Sequence, residues 1–561
     1  MNITPAKLDI GQLFRSSAEQ FYIPAYQRRY SWGIKQISEL YSDINTLDKE
    51  DAHLLGNVVC LTSDHGAGIN KLELVDGQQR ITSLTLFLKA IKDRFKELDD
   101  LDAVSEIDTY LYAKDLNRKI QNKLLLGDLD NPDYTQLLKL KKLDTIKNKN
   151  MLENYNYLFK QISQLSLEEL NLLYFKLTNN VFVIRLDIAN AKDAYKLFET
   201  INNRGMNLSA TDIIKNFLLG QASSIDEETL EEVRENWKQV IINLDNIKID
   251  DFFRQLMCSI LGRKITQNSL IDEFKNYYNS LLKDKESLSD LLINFTQKIS
   301  YISNIYAMIH HRTFKNVLIN QHLFNLQRIE SFPSYIFLLN LFQREGLEDK
   351  SIINILKIVE VFMIRRTVCE YRTGELDLIF SKLSKLETQN IEDTIKSELQ
   401  KDLPSDLEFE NKFFLSTFGN KKNRAKYILE IFEYDLIESK NEYRLTSGNE
   451  LHLEHIVPQT INTKKSINDF GDWLNYLGED AEIKHKEYVN RIGNYTLLGQ
   501  ELNIKASNNP FKSKLEQYKQ SNITLTKEIV EKYIDFRFEE IENRSLEMSQ
   551  RVCDLWNFNT I

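Results

Sequence analysis

Cysteine, proline and glycine are all scarce in this chain. It contains four cysteines, seven prolines and 18 glycines among 561 residues. The cysteines lie far apart and form no Cys-x-x-Cys pair, which argues against a zinc ribbon or a disulfide framework. Because proline and glycine interrupt helices, their scarcity favours a mainly helical protein.

Long hydrophobic runs and a signal-like N-terminus are also missing. The longest apolar stretches, such as residues 352–363, are interrupted by charged residues and are too short for a membrane-spanning helix. The first residues lack the basic start and the apolar run of a secretory signal. We therefore expect a cytoplasmic protein without a membrane partner.

The chain also lacks an excess of positive charge, since its formal net charge is -10. Binding to nucleic-acid phosphates needs positive surface, so this balance alone does not indicate a nucleic-acid-binding protein. Two local basic clusters do occur, at residues 139–149 and 421–426. A charged run is more often a solvated helix face than a phosphate site, so neither cluster assigns a function.

The chain does contain long stretches with apolar residues at helical spacing. Four short stretches, which alternate or are rich in β-branched residues, predict strands at residues 56–61, 71–75, 181–188 and 452–456. The prediction is an α+β protein that is mainly α with small β elements. Its length suggests two to four domains. We predict three segments, 1–222, 223–401 and 402–561, of which the middle one is helical and has no motif for chemistry.

The densest chemical pattern lies in the last segment. Residues 453–459 are Leu-Glu-His-Ile-Val-Pro-Gln, and residues 491–498 are Arg-Ile-Gly-Asn-Tyr-Thr-Leu-Leu. A strand that ends at His455 would leave the imidazole at the strand end. The nine residues from Asn494 to Asn503 suffice for a second strand, a turn and the start of a helix.

These residue types suit the hydrolysis of a phosphodiester. A histidine near its ordinary pKa can accept a proton from water. Mg²⁺ or another divalent metal, held by oxygens of Glu454 and Asn503, would neutralise charge on the phosphate. Asn494 could hold the histidine or its loop through its amide. The alternative is a structural histidine with asparagines in turns, which explains the ordered set of motifs less well.

The segment resembles the HNH, or ββα-metal, nuclease motif. The resemblance implies His455 as general base, Asn494 as the central structural asparagine of the catalytic motif and Asn503 as the closing metal ligand. Glu454 stands where many HNH enzymes have aspartate, and it is the other expected ligand. Three neighbouring lysines could contact DNA phosphates as point charges. They are Lys505, Lys512 and Lys514.

A second dense pattern lies near the N-terminus, where residues 21–32 are Phe-Tyr-Ile-Pro-Ala-Tyr-Gln-Arg-Arg-Tyr-Ser-Trp. Arginines among aromatic residues offer charge for a phosphate, planar surfaces for a base and an amide for its edge. The pattern predicts a pocket for a nucleotide or a modified base. The candidate residues are Tyr26, Gln27, Arg28, Arg29 and Trp32.

A third pattern, Val-Asp-Gly-Gln-Gln-Arg at residues 75–80, lies between a predicted strand and a predicted helix. A glycine turn before a helix presents free N–H groups that attract phosphate, and Arg80 could add a forked, charged contact. No GxxxxGK[ST] motif occurs, so this is not a Walker loop. Farther along, residues 198–212 predict a helix, a polar turn and a capped helix, and Arg204 in the turn is another candidate for the pocket.

Together these patterns resemble the GmrSD-type modification-dependent restriction enzymes, a type IV-like family. The resemblance implies a ParB/sulfiredoxin-like N-terminal domain that binds or hydrolyses a nucleoside triphosphate, either GTP, ATP or another. Tyr26, Gln27 and Arg28 would line that pocket or one that reads a DNA modification. The residues implied for the nucleotide are Asp76, Gly77, Gln78, Gln79 and Arg80.

The function implied by this resemblance is a metal-dependent DNA endonuclease or nickase of anti-phage defence. It would be directed at modified phage DNA and regulated by nucleotide binding or hydrolysis. The alternative is a regulatory protein that senses a nucleotide or modified DNA and keeps a degenerate HNH scaffold without cutting. Cutting both strands of a duplex would need two active sites or a second docking step, so a homo-oligomer is also possible.

Overall fold

The computed structural model describes residues 3–48, 50–66, 68–202, 209–282, 287–388, 390–437 and 451–561. Helices dominate these ranges and the strands are short, which confirms the prediction of a mainly α protein with small β elements. The chain forms two compact units. The first comprises Met1–Arg254 and Thr266–Asn304, and the second comprises Gln255–Ile265 and Ile305–Ile561. The three-segment division of the sequence stays a prediction.

The first unit is built on a mixed β-sheet. Its strands are β1 (Ile3–Asp9), β2 (Glu19–Tyr22), β3 (His53–Gly66), β4 (Ile69–Asp76), β5 (Tyr112–Lys114), β6 (Ile120–Asn122), β7 (Leu124–Leu125) and β8 (Val181–Ile188). Strands β5 and β6 pair with each other, and the other six form one sheet in the order β1-β8-β3-β4-β2-β7. Parallel pairs join β2 to β4, β2 to β7 and β3 to β8.

The predicted strands of this unit all lie within observed ones, but the prediction missed β1, β2 and the three very short strands β5, β6 and β7. Strand β1 forms one edge of the sheet and contains Pro5, which removes a backbone donor from its pattern. Strand β2 has only four residues, too few for a clear alternation. Both are held by long-range pairing, which local sequence does not reveal.

Helices cover the sheet of the first unit. They are α1 (Ile10–Arg15), α2 (Ile34–Asn45), α3 (Gln78–Glu97), α4 (Leu101–Leu111), α5 (Asn131–Leu138), α6 (Lys149–Ile162), α7 (Leu167–Phe175), α8 (Ala191–Asn202), α9 (Ala210–Ala222), α10 (Glu227–Asn243), α11 (Ile249–Leu261), α12 (Leu270–Leu281) and α13 (Leu288–His311). The unit boundaries fall within α11 and α13.

Helix α3 is the central helix of the first unit. The sequence predicts one apolar side, but the helix packs against both α4 and α6, and polar residues such as Thr82 and Thr85 are buried as well. An internal ion pair joins Lys89 to Asp93, whose carboxylate also accepts a 2.6 Å hydrogen bond from the Tyr155 hydroxyl. The start of α3 is therefore fixed by a core on several sides.

The second unit is almost entirely helical. Its helices are α14 (Val317–Arg328), α15 (Tyr335–Leu341), α16 (Asp349–Val368), α17 (Leu376–Leu383), α18 (Ile391–Gln400), α19 (Asp406–Leu415), α20 (Lys422–Ile437), α21 (Lys464–Phe470), α22 (Trp473–Leu477), α23 (Ala481–Tyr488), α24 (Gln500–Ala506), α25 (Phe511–Tyr518), α26 (Thr524–Lys532), α27 (Phe538–Ser549) and α28 (Val552–Leu555). None of the helices in the described ranges is long and apolar enough to cross a membrane.

A two-stranded antiparallel sheet interrupts this helical unit. Strand β9 (Leu451–His455) pairs with β10 (Tyr495–Gly499), and α24 follows directly. His455 lies opposite Tyr495 in the register. This confirms the predicted strand that ends at the histidine and the predicted second strand and helix between Asn494 and Asn503.

Close packing explains the glycine in the Arg-Ile-Gly-Asn motif. Gly493 lies against α27, where its N–H donates to Ser545 Oγ at 3.1 Å and its carbonyl accepts from Arg544 at 2.8 Å. A Cβ at this position would overlap the Ile541 carbonyl oxygen and lie 2.5 Å from Ser545 Oγ. Only glycine lets the two backbones approach this closely.

We expect Gly493→Ala to lower the free energy of unfolding by about 1–3 kcal/mol, because helix α27 must shift away. Gly499→Ala is the matched control, since nothing lies within 4 Å of a Cβ there. Urea titrations followed by circular dichroism would compare both variants with the wild type. Equal midpoints for Gly493→Ala and the wild type would contradict the packing argument.

Candidate functional site

The candidate site of the second unit forms at the end of β9. Glu454 and His455 are consecutive, so their side chains point to opposite faces of the strand. The ring of His455 meets the ring of Tyr495 edge to face, with 4.6 Å between the centroids. Both Glu454 and His455 are buried.

Asn494 holds the segment that follows His455. Its backbone oxygen accepts from Ile456 N at 2.9 Å, and its side-chain oxygen accepts from Val457 N at 2.8 Å. Its amide nitrogen donates to the carbonyl oxygens of Val457 and Val489, both at 2.9 Å. The side chain is wholly buried and holds the loop after His455 through its amide, which is the positioning role expected of Asn494.

The imidazole of His455 is neutral at physiological pH. Burial lowers its pKa to about 3, and the positive charges of Lys422 and Lys514 act in the same direction. The side chain of Asn490 hydrogen-bonds the ring, while Nε2 has no hydrogen-bond partner among the described residues. The site thus presents one buried ring nitrogen that no described residue hydrogen-bonds.

Two neighbours of His455 were not singled out from the sequence. Asn490 also accepts a 3.0 Å hydrogen bond from the Tyr495 hydroxyl, so it aligns both rings. Lys422 is exposed at the start of α20 and belongs to the basic cluster at 421–426. Membership of this basic cluster was a weak sequence signal for Lys422. The signal for Asn490 was only its position directly before the Arg-Ile-Gly-Asn motif.

The structure contradicts the prediction that Lys514 contacts phosphate. Lys514 is fully buried, and its ammonium lies 2.7 Å from Glu454 Oε1 and 2.6 Å from the His455 carbonyl oxygen. The Tyr518 hydroxyl donates to the same Glu454 oxygen at 3.0 Å. Strand β9 turns Glu454 towards α25, where its carboxylate is buried. A buried carboxylate needs a compensating positive charge, which Lys514 provides. Lys505 and Lys512, by contrast, are exposed as predicted.

The predicted metal ligands fit a divalent ion only in part. Asn503 lies on α24, and its buried Oδ1 has no hydrogen-bond partner within the described ranges. Glu454 is already neutralised by Lys514. No cluster of three His, Cys, Asp or Glu side chains suited to a metal occurs in the part of the chain that the structure describes. Asn503 is therefore the predicted ligand that remains available.

In the first unit, the Asp-Gly-Gln-Gln-Arg segment forms the predicted strand–turn–helix. Strand β4 ends at Asp76, Gly77 has φ of 94°, and α3 begins at Gln78. A side chain at Gly77 would be strained by this left-handed conformation and would meet Val58 Cα at 3.3 Å. The turn is therefore restricted to glycine.

Gln79 joins this turn to the Tyr-Gln-Arg-Arg segment. Its Oε1 accepts from Ser31 N at 2.8 Å and from Trp32 N at 3.2 Å, and its Nε2 donates to the Arg29 carbonyl at 3.2 Å. The two N-terminal patterns are therefore adjacent, as the prediction of one pocket requires. Both the oxygen and the nitrogen of the Gln79 amide are used in these hydrogen bonds.

Several other predicted pocket residues are also bonded inside the fold. Arg80 is buried, donates to the Asn57 carbonyl and lies 3.7 Å from Asp76. Burial raises the pKa of Asp76, although the charge of Arg80 opposes this. Arg29 forms ion pairs with Asp130 and Asp245, at 2.7 and 2.8 Å. Tyr26 donates a hydrogen bond to Glu73, and Trp32 packs on the hydrophobic core. These side chains fix the pocket wall.

Arg28 and Gln78 retain unused polar atoms. Arg28 Nε and Gln78 Oε1 are buried and make no hydrogen bond to any residue that the structure describes, and both side chains line one cleft with Gln27 and Gln79. The cleft encloses about 30 Å³, which is room for one water. A base-sized ligand would require side chains to move. Arg204 lies outside the described residues.

The sequence reasoning missed two charged residues beside this cleft. Asp212 and Lys215 are buried on α9, and they lie 3.6 Å apart. Asp212 is also 3.4 Å from Arg28, and Lys215 donates to Gln27. Burial alone would raise the pKa of Asp212, but the charges of Lys215 and Arg28 lower it overall. Polar residues at i and i+3 on an otherwise apolar helix face were the available signal.

We expect Lys514→Met to lower the free energy of unfolding by about 3–5 kcal/mol, because it leaves the buried carboxylate of Glu454 without its partner. Lys519→Met at the end of the same helix is the control, since Lys519 is exposed and pairs with Glu516 at the surface. Thermal unfolding of both variants at pH 7 measures the difference. The ion pair has no such role if the two variants melt at the same temperature.

Sequence comparisons agree with the geometry of both regions. The family model described as GmrSD restriction endonuclease, N-terminal domain, matches residues 10–219. The model described as GmrSD restriction endonucleases, C-terminal domain, matches residues 403–551, so the two together cover more than half of the chain. No curated protein matches the sequence. The chain therefore belongs to the GmrSD restriction endonuclease family and is a nuclease of restriction defence, with DNA as its substrate.

Proposed function

We propose that this nuclease is an HNH-type, metal-dependent DNA endonuclease or nickase in which His455 accepts the proton of the attacking water. The observation that carries the proposal is the neutral, buried imidazole at the end of β9, whose Nε2 has no hydrogen-bond partner among the described residues. Asn490 orients the ring from its other side. The order β9, β10, α24 supports the assignment, because it is the order of a ββα motif.

Substrate binding would also improve His455 as a base. A pKa of about 3 makes the free imidazole a weak proton acceptor. A phosphodiester bound nearby brings a negative charge that stabilises the imidazolium and therefore raises this pKa. Exposed Lys422, whose charge reaches His455, is the proposed phosphate contact, and Lys505 and Lys512 remain candidates for flanking phosphates.

The proposal includes a divalent ion such as Mg²⁺ as the cofactor. When bound, such an ion neutralises charge on the phosphate and acidifies a coordinated water. Asn503 would hold it through the unpartnered Oδ1. Glu454 would contribute only after its ion pair with Lys514 opens, which costs the stabilisation of a buried charge.

We further propose that the first unit binds a nucleoside triphosphate and thereby regulates cutting of modified DNA. Arg28 and Gln78 support this assignment, because Arg28 Nε and Gln78 Oε1 make no hydrogen bond in the described structure, while the charge of Arg28 faces Asp212 at 3.4 Å. Arg28 is 37% exposed, so a phosphate can reach it. Gln79, Arg80 and Lys215 would keep the pocket wall in place rather than contact the ligand.

We expect His455→Ala to slow DNA cleavage by about 10²- to 10⁴-fold, because the proton acceptor is lost. His452→Ala, on the same strand, should cut like the wild type. Plasmid cleavage in Mg²⁺ and in Mn²⁺ measures the rate, with melting temperatures as a check on folding. A folded His455→Ala variant that cuts at the wild-type rate would exclude this histidine from the reaction.

We expect Arg28→Met to weaken nucleoside triphosphate binding roughly 10- to 100-fold, because a charge-assisted contact to phosphate is lost. Exposed Arg118 provides the control variant Arg118→Met. Calorimetric titration with GTP and with ATP measures the affinity. Unchanged affinity in Arg28→Met would remove the cleft from the proposal, and wild-type cleavage by the same variant would show that basal cutting is separate.

A further inference from the structure

The second unit contains a cavity that the proposed reaction does not use. It has a volume of about 430 Å³, within the range of small-ligand sites. Its walls come from α22, the start of α25 and the chain before α27. We call it the aromatic pocket and define it by Trp473, Tyr476, Phe511, Lys512, Asp535 and Arg537.

The aromatic walls of this pocket are held in place. Trp473 Nε1 donates to the Asn508 carbonyl at 2.9 Å, and the Tyr476 hydroxyl accepts from Phe536 N at 2.8 Å. The Trp473 and Tyr476 rings meet edge to face with 5.4 Å between their centroids. Phe511 is buried against Phe536. A ligand would therefore find walls that are already ordered, among which the Tyr476 ring is partly exposed.

The rim of the pocket carries charges of both signs. Lys512 and Arg537 are exposed, and the Arg537 guanidinium lies 4.9 Å from the centroid of the Tyr476 ring. Asp535 is also exposed and lies 3.4 Å from the Tyr476 hydroxyl. A simple anion would meet the carboxylate, and a simple cation would meet the two basic groups. The rim fits a planar group that has an N–H donor and adjoining phosphates, which is a nucleobase within a strand.

Helix α25 connects the pocket to the end of β9. Phe511 and Lys512 are in its first turn, and Lys514 bonds both Glu454 and the His455 carbonyl. Three residues of a helix advance about 4.5 Å along its axis. Helix α25 therefore carries both one wall of the pocket and the side chain that holds the backbone at His455. A base inside a duplex has both of its faces covered by neighbouring bases, so a base that stacks in the pocket must first leave its duplex stack.

We propose that the aromatic pocket binds one unpaired nucleobase of the DNA substrate next to the cleavage site. This inference rests on the proposed function of the second unit, because it takes the strand near His455 as the one that is cut. Stacking on Tyr476 supplies the affinity, while Lys512 and Arg537 contact the phosphates on either side. The pocket would thus select DNA that is open or easily opened at the cut.

The test is equilibrium binding of two labelled oligonucleotides to the full chain in EDTA, measured by fluorescence anisotropy. One is a 12-residue thymidine strand, and the other has the same backbone with abasic sites. The wild type should bind the thymidine strand more tightly, by about 5- to 100-fold, because stacking of a base is lost in the abasic strand. Equal affinity for the two strands overturns the proposal, and this comparison needs no variant.

A pair of tyrosine variants then locates the base. Tyr476→Leu should remove the preference for the thymidine strand over the abasic strand. Tyr488→Leu is the matched control, since Tyr488 is also partly buried and bonded through its hydroxyl but lies outside the pocket. A preference that persists in folded Tyr476→Leu, or one that Tyr488→Leu also loses, overturns the assignment. Thymidine monophosphate competing as tightly as the strand would do the same, because the occupant would be a free nucleotide.

Repeating the binding in the His455→Ala background separates this proposal from the proposed function. Nucleobase-dependent binding that Tyr476→Leu removes supports the pocket even if His455→Ala still cuts DNA. In that case only the assignment of His455 as the proton acceptor fails. Loss of cutting in His455→Ala without any base preference has the opposite meaning. The nuclease assignment then stands and the pocket proposal falls.

Discussion

A buried carboxylate cannot stay ionised without a compensating charge, and in the second unit that charge is the ammonium of Lys514. The same ammonium bonds the His455 carbonyl, so it fixes helix α25 to the end of β9 at two points. The position of His455 depends on these two contacts of Lys514. The wall of the aromatic pocket depends on them as well, because that wall begins on the same helix.

The first unit uses buried charge in a similar way. Arg29 is held by carboxylates from two different helical regions, and Asp212 lies between Arg28 and Lys215. Amide groups complete the arrangement, since Gln79 bonds three backbone groups of the neighbouring segment. Most of the polar atoms in the two N-terminal patterns therefore hold the fold, and only a few are left for a ligand.

Local patterns predicted the parts of the structure that local chemistry decides. The turn at Gly77 follows from a strand pattern that meets a helix pattern, and the end of β9 at His455 follows from alternation stopped before Pro458. The ordering of β10 and α24 between the two asparagines could be predicted from spacing alone. In each case the residues that determine the element lie within about one turn or one strand of each other.

The sequence could not tell which charged residues are buried. Lys512 and Lys514 look alike in the sequence, yet one is exposed and the other is fully buried. The difference arises from Glu454, which lies 60 residues away and is turned towards α25 by the pleat of β9. The same limit hid Lys215, whose partner Gln27 lies 188 residues away. The edge strand β1 also depends on a distant partner, because it pairs with β8.

The short sheet of β9 and β10 limits which insertions and deletions this region can tolerate. Because side chains alternate along a strand, a shift of one residue would turn His455 towards Lys514 and Glu454 towards Tyr495. No intermediate register exists, so the histidine and the carboxylate must exchange environments together. Insertions and deletions in β9 are therefore all-or-none events for both stability and chemistry, whereas the exposed ends of nearby helices can change by small steps.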